Sequence, residues 1–257
     1  MRLDKVLSDM RVGTRSEVKK YLKAGFVAVN GVIVKTPVNV VPGEDTIAFR
    51  GKEICYRPYE YYMFYKPEGC VTARKDNLHK SVLDFIDEGP KDLSPVGRLD
   101  LDTTGLLLIT NDGKLNHELL SPKKHVKKLY EAKVNGRVTS EDIRRFSEGL
   151  DIGDDTPTKP AALTVLTEGE EPTVRIVLTE GRYHQVKRMF QAVGKEVLTL
   201  KRLAMGNLIL DEALQPGEYR RLTDEEVEGL KGCGRKAAMK NNTKESEDIL
   251  CWRESGQ

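Results

Sequence analysis

The chain has 257 residues, of which 39% are hydrophobic and 32% are charged, and its formal net charge is +2. This length and composition predict a globular protein of about two domains and exclude the collagen-like and disordered classes. No apolar run exceeds a handful of residues, and charges are spread through the first ten positions. We therefore expect a cytoplasmic protein with neither a membrane-spanning helix nor a secretory leader, and with no membrane partner.

Cysteine and histidine spacings give no sign of a metal site. The four cysteines form no CxxC pair, and the four histidines show no HxxxH spacing. This pattern argues against a zinc site and against a disulfide framework. We expect no metal and no cofactor.

Two short helices are predicted at the amino terminus. An apolar stripe at i, i+3, i+4 and i+7 runs through residues 3–10, LDKVLSDM, and is typical of an amphipathic helix. The second helix starts at TRSE, where Thr14 and Glu17 have the spacing of a capping box. Its basic residues fall on the face opposite its apolar ones.

A hairpin is predicted next, because FVAVNGVIV places two β-prone runs on either side of Asn30-Gly31. Charge is unevenly distributed around these elements. Residues 1–35 hold eight Lys/Arg against three Asp/Glu, and residues 180–202 hold six against two. Two basic zones favour a polyanionic partner contacted at two places, although a single such run is more often an ordinary solvated face.

The text RLDKVLSDMRVGTRSEVKKYLKAGFVAVNGVIV resembles the small α-L RNA-binding domain named after a ribosomal small-subunit protein, over about the first fifty residues. The resemblance implies that residues 1–55 bind RNA, with a purely structural cap as the alternative. Lysines along one helix face can contact phosphates without reading bases. The expected RNA-binding residues here are Arg2, Lys5, Arg15, Lys19, Lys20 and Lys23.

Residues 56–60 are expected to link this domain to a larger one spanning 61–232. There the sequence predicts strands near 61–65, 106–110, 127–134, 162–167, 173–179 and 196–203. It predicts helices near 80–87, 114–120, 139–148, 183–193 and 223–230. Several strands are adjacent along the chain, so we expect an α+β domain with a mixed, mainly antiparallel sheet flanked by helices. The polar residues 233–257 are expected to be a mobile tail.

One dense motif is GRLDLDTTG at residues 97–105, which contains Asp100 and Asp102. A calcium loop is excluded because Thr104 and Asn111 occupy two ligand positions, and an apolar strand lies between them. Two alternatives remain open on these residues alone. The carboxylates could hold magnesium in a nuclease, or Asp102 could cap a turn with no chemical role. Asp100 is the stronger candidate for chemistry, because it precedes a rigid apolar strand.

The other dense motif is EGRYHQVKRMF at residues 180–190. As a helix it would bury Val186, Met189 and Phe190 and expose its basic residues. Lys187 follows the inward Val186, at the margin of the core. It could there pair with a carboxylate from elsewhere, or simply belong to a basic surface helix.

Three segments follow the amino-terminal domain in the order GRLDLDTTGLLLITNDG, KLYEA and EGRYHQVKRMFQAVG. They resemble the three motifs of bacterial ribosomal RNA pseudouridine synthases. EGRYHQVKRM together with PGEYRRLTDEE is most similar to the small-subunit (RsuA) type of that family. The resemblance runs from residue 1 to about 230. It implies an enzyme, an isomerase that needs no cofactor, metal or nucleotide.

The resemblance also implies roles for individual residues. Asp100 would be the nucleophile, Tyr130 would stack against the uracil and take part in proton transfer, and Lys187 would pair with Asp100. Arg98 would help to fill the space left by the extruded base, and Asp102 has no role in this scheme. The RNA-binding residues implied for this domain are Arg98, Arg182, His184, Gln185 and Arg188.

The expected partner is ribosomal RNA of the small subunit, or an assembly intermediate of that subunit, and the expected state is a monomer. The runner-up within the family is an enzyme acting on large-subunit ribosomal RNA. A non-catalytic ribosome assembly factor and a metal-dependent nuclease are the alternatives from other classes.

Overall fold

The computed structural model describes residues 1–41, 43–54 and 56–236. Its amino-terminal part contains helices α1 (Leu3–Asp9) and α2 (Arg15–Lys23). Four short strands follow: β1 (Val27–Val29), β2 (Val32–Ile33), β3 (Ile47–Phe49) and β4 (Lys52–Ile54). They pair antiparallel in the order β2-β1-β3-β4.

The predicted start of α2 is confirmed. The Thr14 hydroxyl accepts a hydrogen bond from the Glu17 N–H at 3.3 Å, and the Thr14 N–H donates to the Glu17 carboxylate at 2.7 Å. The hairpin at Asn30-Gly31 is confirmed by the pairing of β1 with β2. β4 was not predicted.

The larger part of the described chain has a mixed sheet of nine strands. Six of these strands have four or more residues: β5 (Tyr61–Lys66), β7 (Thr103–Thr110), β8 (Lys128–Asn135), β9 (Ala162–Val165), β10 (Thr173–Leu178) and β11 (Glu196–Met205). Three are short: β6 (Ser94–Pro95), β12 (Leu208–Ile209) and β13 (Tyr219–Arg221). The main order is β13-β5-β7-β11-β8-β10-β9, with β6 paired to β7 and β12 to β11. The single parallel pair among these described strands is β7 with β11, and the predicted α+β class with its mainly antiparallel sheet is confirmed.

Four helices cover the two faces of this sheet: α3 (Gly113–Leu120), α4 (Ser140–Glu148), α5 (Gln185–Ala192) and α6 (Asp224–Lys236). On one face, Phe146 of α4 and Phe190 of α5 pack with ring centroids 5.0 Å apart over the inward residues of the strands. On the other face, α3 and α6 bury residues such as Leu119 and Leu230 against the alternate strand positions. Burial on both faces explains why β7 contains the continuous apolar run at residues 106–109.

Gly105 permits the parallel contact between β7 and β11. Its φ is +101°, and a Cβ at this position would lie 2.3 Å from the carbonyl oxygen of Arg202. No side chain can occupy that space without moving one strand away from the other. The last residue of GRLDLDTTG is therefore a packing requirement.

Several predicted boundaries differ from the structure. The helix expected near 80–87 is a 3₁₀ turn at Val82–Phe85, and α5 begins at Gln185 instead of near 183. α6 continues to Lys236, past the expected boundary at 232. Residues 237–257, which make up most of the expected tail, lie outside the described residues. In the part of the chain that the structure describes, no helix has the length and apolarity needed to cross a bilayer.

Candidate active site

A cavity of about 540 Å³ opens at the end of the large sheet where β7 begins. Asp100, Tyr130 and Lys187 all line it. They come from three separate parts of the chain: the loop before β7, the middle of β8 and the first turn of α5. The structure thus brings together the three residues that the sequence predicts as catalytic.

The loop that carries Asp100 is held from below. The Thr72 hydroxyl donates to the Leu99 carbonyl at 2.7 Å and accepts from the Leu99 N–H at 3.1 Å. The Lys66 ammonium donates to the carbonyls of Leu101 at 3.3 Å and Thr103 at 2.8 Å. These bonds fix the backbone on both sides of Asp100, which is the rigid support that a reacting side chain needs.

Lys66 is fully buried at the end of β5. Burial lowers its pKa, and the nearby Cys70 and the carboxylates of Asp100 and Asp102 oppose that shift. Its ammonium satisfies its hydrogen-bonding capacity with backbone carbonyls, including that of Pro67 at 3.1 Å. Lys66 is therefore a positioning residue for the loop.

The predicted ion pair of Lys187 with Asp100 is present, but Lys187 lies closer to Asp102. Its Nζ lies 2.6 Å from both carboxylate oxygens of Asp102 and 4.0 Å from Asp100 Oδ2. The Lys187 hydrogen bond lowers the pKa of Asp102, so this carboxylate is the stronger partner of the lysine. The Asp102 side chain binds Lys187, a contact that the turn-capping alternative did not include.

His184 provides a second contact to Asp100. Its Nε2 lies 3.4 Å from Asp100 Oδ1. The residue has φ of +47°, in the left-handed region, and so ends the turn just before α5. Its ring stacks on that of Tyr183 at a centroid distance of 3.8 Å, and Tyr183 is 70% exposed. A stacked aromatic pair therefore stands at the mouth of the cavity.

Three of the predicted RNA-binding residues are occupied within the protein. Arg182 donates to the carbonyls of Thr156 and Pro157 at 2.7 Å each, and its backbone N–H donates to the Gln185 side chain at 2.9 Å. Gln185 is buried, and Arg188 donates to the Ile152 carbonyl at 3.1 Å. These contacts join the start of α5 to the loop at residues 152–157. Arg182 and Arg188 hold that loop, and Gln185 holds the backbone of Arg182. Their assignment as RNA contacts stays a prediction.

The predicted cations of the amino-terminal part fall into two groups. Arg2 pairs with Asp4 at 2.9 Å and Lys5 pairs with Asp9 at 2.7 Å. By contrast, the exposed basic side chains of α2 make no ion pair or hydrogen bond among the described residues: Arg15, Lys19, Lys20 and Lys23. Arg98, exposed on the cavity wall, likewise has no ion-pair partner in the described ranges. These cations can contact a polyanion without first giving up a partner among the described residues.

Sequence reasoning missed two basic residues in the cavity wall. Lys128 and Arg202 are both buried and both line the cavity. Burial, with the Arg202 charge adding to it, lowers the pKa of Lys128 to about 8. Alternation could have indicated Lys128, because it lies two residues before Tyr130 and so on the same face of β8.

The carboxylates of the site do not form a metal centre. Among the described residues, no group of three or more His, Cys, Asp or Glu side chains is placed to hold an ion. The groups around Asp100 and Asp102 are instead basic side chains: Lys187 at 2.6 Å from Asp102 and His184 at 3.4 Å from Asp100. These carboxylates are directed at basic groups.

Two family models match the chain. The model described as RNA pseudouridylate synthase matches residues 60–192, and that described as the S4 domain matches residues 1–47. The first match includes Asp100, Tyr130 and Lys187. The second includes α1, α2 and the hairpin.

Individual relatives match nearly end to end. The chain is 45% identical to the uncharacterized RNA pseudouridine synthase YtzG of Bacillus subtilis, over 88% of this chain and 97% of that protein. It is 40% identical to the ribosomal small subunit pseudouridine synthase A of Vibrio cholerae, over 90% and 99%. A crystal structure of a pseudouridylate synthase, 39% identical, superimposes with a TM-score of 0.64, covering 90% of this chain and 99% of that one.

Proposed function

Since the chain belongs to the RNA pseudouridylate synthase family, we propose that it isomerises uridine to pseudouridine in small-subunit ribosomal RNA, with Asp100 as the nucleophile. The sequence-based assignment to this family and to the isomerases is confirmed. The choice of small-subunit RNA is supported by 40% identity to the Vibrio cholerae protein over nearly its whole length.

The observation that carries the mechanism is the meeting of Asp100, Tyr130 and Lys187 in one cavity. The reaction breaks the N1–C1′ bond of uridine, turns the base and forms a C5–C1′ bond, and the hydrogen on C5 leaves as a proton. A carboxylate can serve as the nucleophile, at the ribose C1′ or at a ring carbon of the base. Asp100 is the carboxylate that a rigid loop holds in the cavity wall.

The geometry of the other residues suits a base turned out of its stack. Extrusion of a nucleotide costs a few kcal/mol, and stacking on an aromatic ring offsets part of that cost. Tyr130, with only 8% of its surface exposed, presents its ring within the cavity and would stack on the uracil. Arg98, exposed on the wall, would enter the space that the base leaves.

Lys187 stands between two carboxylates and can change partners. In the free protein its Nζ lies 2.6 Å from Asp102 and 4.0 Å from Asp100. A move of about 1.4 Å would bring it as close to Asp100 as it now is to Asp102. Asp102 is more than half exposed, so its ion pair is weak. We propose that RNA binding shifts Lys187 toward Asp100.

RNA affinity is proposed to come from two surfaces. The unpaired cations of α2 would contact phosphates, which supply affinity and position with little sequence information. The cavity and its mouth, with Arg98 and the Tyr183–His184 pair, would hold the target nucleotide and its neighbours. Selection of the target uridine is therefore proposed to come from the second surface, the cavity and its mouth.

The test is tritium release from C5-labelled uridine in small-subunit ribosomal RNA, supplied free and as a partly assembled particle. Pseudouridine formation displaces this hydrogen. We expect release by the wild-type protein, none by Asp100→Asn, and measurable release by Asp102→Asn, a matched loss of one carboxylate two residues along the chain. RNA affinity of both variants should stay within a few-fold of wild type.

Three outcomes would contradict the proposal in different ways. Normal release by Asp100→Asn would remove its role as nucleophile. Release from large-subunit ribosomal RNA alone would move the substrate to the other subunit. Binding of both RNAs without release from either would favour a non-catalytic assembly factor.

A further inference from the structure

The cavity at Asp100 contains an unusual share of unpaired polar atoms. Among the described residues, six buried side-chain nitrogen or oxygen atoms have no hydrogen-bond partner. Three of the residues that carry them line this cavity: Thr103, Asn116 and Arg202. Buried polar groups in native proteins are normally paired, so their concentration in one cavity indicates groups that a ligand completes.

Arg202 is the most constrained of the three. Only 2% of its surface is exposed, and its Nε donates to the Leu106 carbonyl at 2.8 Å. Its Nη2 has no partner among the described residues. Arg202 lies directly opposite Tyr130 in the pairing of β11 with β8, so the two side chains project from the same face of the sheet. A donor thus lies beside the ring on which the base would stack.

Lys128 brings further donors to the same face. It is 7% exposed and lies two residues before Tyr130 on β8. Its ammonium donates to the Val126 carbonyl at 3.3 Å, which uses one of its three protons. In the described part of the chain it has no carboxylate within ion-pair distance, so its remaining donors are open to another acceptor.

We propose that Arg202 and Lys128 form the uracil-recognition floor of the cavity and donate hydrogen bonds to the carbonyl oxygens of the flipped base. This inference rests on the proposed function. Guanidinium and ammonium groups donate only, and uracil presents an acceptor on each side of N3, at O2 and O4. Cytosine has an amino group at C4 in place of the O4 acceptor. This amino group would face a protein donor, Arg202 or Lys128, and neither donor would then have an acceptor.

The same contact assists the reaction. When the N1–C1′ bond breaks with its electron pair on the base, negative charge spreads over the ring and its two carbonyl oxygens. Fixed cationic donors in a buried site stabilise such charge without first reorganising. Arg202 and Lys128 therefore discriminate bases and also stabilise the detached uracil.

The experiment pairs a change in the protein with a change in one substrate atom. Arg202→Met and Lys128→Met are compared with wild type on RNA carrying C5-labelled uridine, 2-thiouridine or 4-thiouridine at the target position. Sulfur accepts hydrogen bonds poorly. We expect wild type to lose about tenfold in single-turnover tritium release on at least one thio substrate, as for the loss of a hydrogen bond to a charged group. At least one variant should release tritium equally from that thio substrate and from uridine.

The control is Arg175→Met, which removes a sheet arginine that lies outside the cavity and pairs with Glu131 on the neighbouring strand. It should discriminate against the thio substrates as wild type does. Melting temperature and RNA affinity identify any variant that fails to fold, and Lys128→Met decides the question if Arg202→Met does not fold.

The outcomes separate the two proposals. Absence of release from uridine by wild type would refute the proposed function itself. Release by wild type with undiminished thio discrimination in both folded variants would overturn the uracil-recognition floor and leave the proposed function standing.

Discussion

Lys128 is a basic residue in the wall of the cavity at Asp100, and only 7% of its surface is exposed. Burial lowers its pKa from the ordinary 10.5 to about 8, with the charge of Arg202 acting in the same direction. Between these two values the unfolded chain binds the proton and the folded chain releases it. Stability therefore rises with pH across this window, and the cost of burying the charge is full below pH 8.

The corresponding prediction is that Lys128→Met is more stable than wild type at pH 7, and that this advantage shrinks toward pH 10.5. At 1.36 kcal/mol for each pH unit between the folded and unfolded pKa values, the advantage should fall by roughly 3 kcal/mol. Urea denaturation of both proteins from pH 7 to 10.5 measures it. Lys133→Met, which removes a lysine from the exposed end of the same strand, is the control. Parallel curves for wild type and Lys128→Met would contradict the shift.

Individual residues differ in how far the sequence predicts them. Asp100, Tyr130 and Lys187 were predicted from their motifs and do line one cavity. The closer contact of Lys187 with Asp102 was not predicted, because Asp100 and Asp102 are two residues apart and only the shape of the loop decides which one the lysine approaches more closely. Lys128 and Arg202 were missed because their distinguishing feature is burial in the cavity wall. The identity of a basic residue in a sequence does not indicate that it is buried.

At the scale of elements, α2 presents four basic side chains to solvent while burying Val18 and Leu22. We predict that Lys19→Gln/Lys20→Gln weakens RNA binding and makes the plot of log affinity against log salt less steep by about two, one for each phosphate that is no longer neutralised. Filter binding between low and moderate salt measures the slope.

The control for α2 is the double variant Lys133→Gln/Lys231→Gln, which removes the same charge. Lys133 on β8 pairs with Glu171, and Lys231 on α6 pairs with Glu228. An equal change of slope in both double variants would mean that net charge, and not the α2 surface, sets the affinity.

Elements were predictable where a period or a cap had room to show. The N-cap of α4 is Thr139, the first residue of the predicted helix, and its hydroxyl accepts from the Asp142 N–H at 3.2 Å. The start of α5 was misplaced because His184 adopts a left-handed conformation that aligns it with Asp100, a contact with a distant loop. Strands such as β12, with two residues, contain no periodic signal.

For the whole molecule, the parallel contact of β7 with β11 joins the two antiparallel halves of the sheet. The mixed sheet was predictable from adjacent strands, but its order was not, because strand order depends on pairings between strands that lie far apart along the chain. Gly105 lies at this contact, where an added Cβ would meet the Arg202 carbonyl oxygen at 2.3 Å.

Gly105→Ala should destabilise the protein by more than about 3 kcal/mol, since backbone must move and positive φ adds its own cost. The matched variant is Gly153→Ala, which has φ of +80° and no atom within 4 Å of the new Cβ. It carries the conformational cost alone, about 1–2 kcal/mol. Thermal and urea unfolding compare the two, and equal losses would show that the strands can separate freely.

Gly105 also bears on how natural variation in GRLDLDTTG should be interpreted. Its missing side chain is required by a carbonyl on another strand, so selection would retain glycine there whatever reaction a relative catalyses. Asp100 would be retained for the opposite reason, since its side chain lies in the cavity and supports no strand. In an evolutionary record both positions would look equally invariant. A count of invariant residues would thus overstate how many act on RNA. A diverged homologue that lost Asp100 while keeping Gly105 would keep this strand contact without the proposed nucleophile.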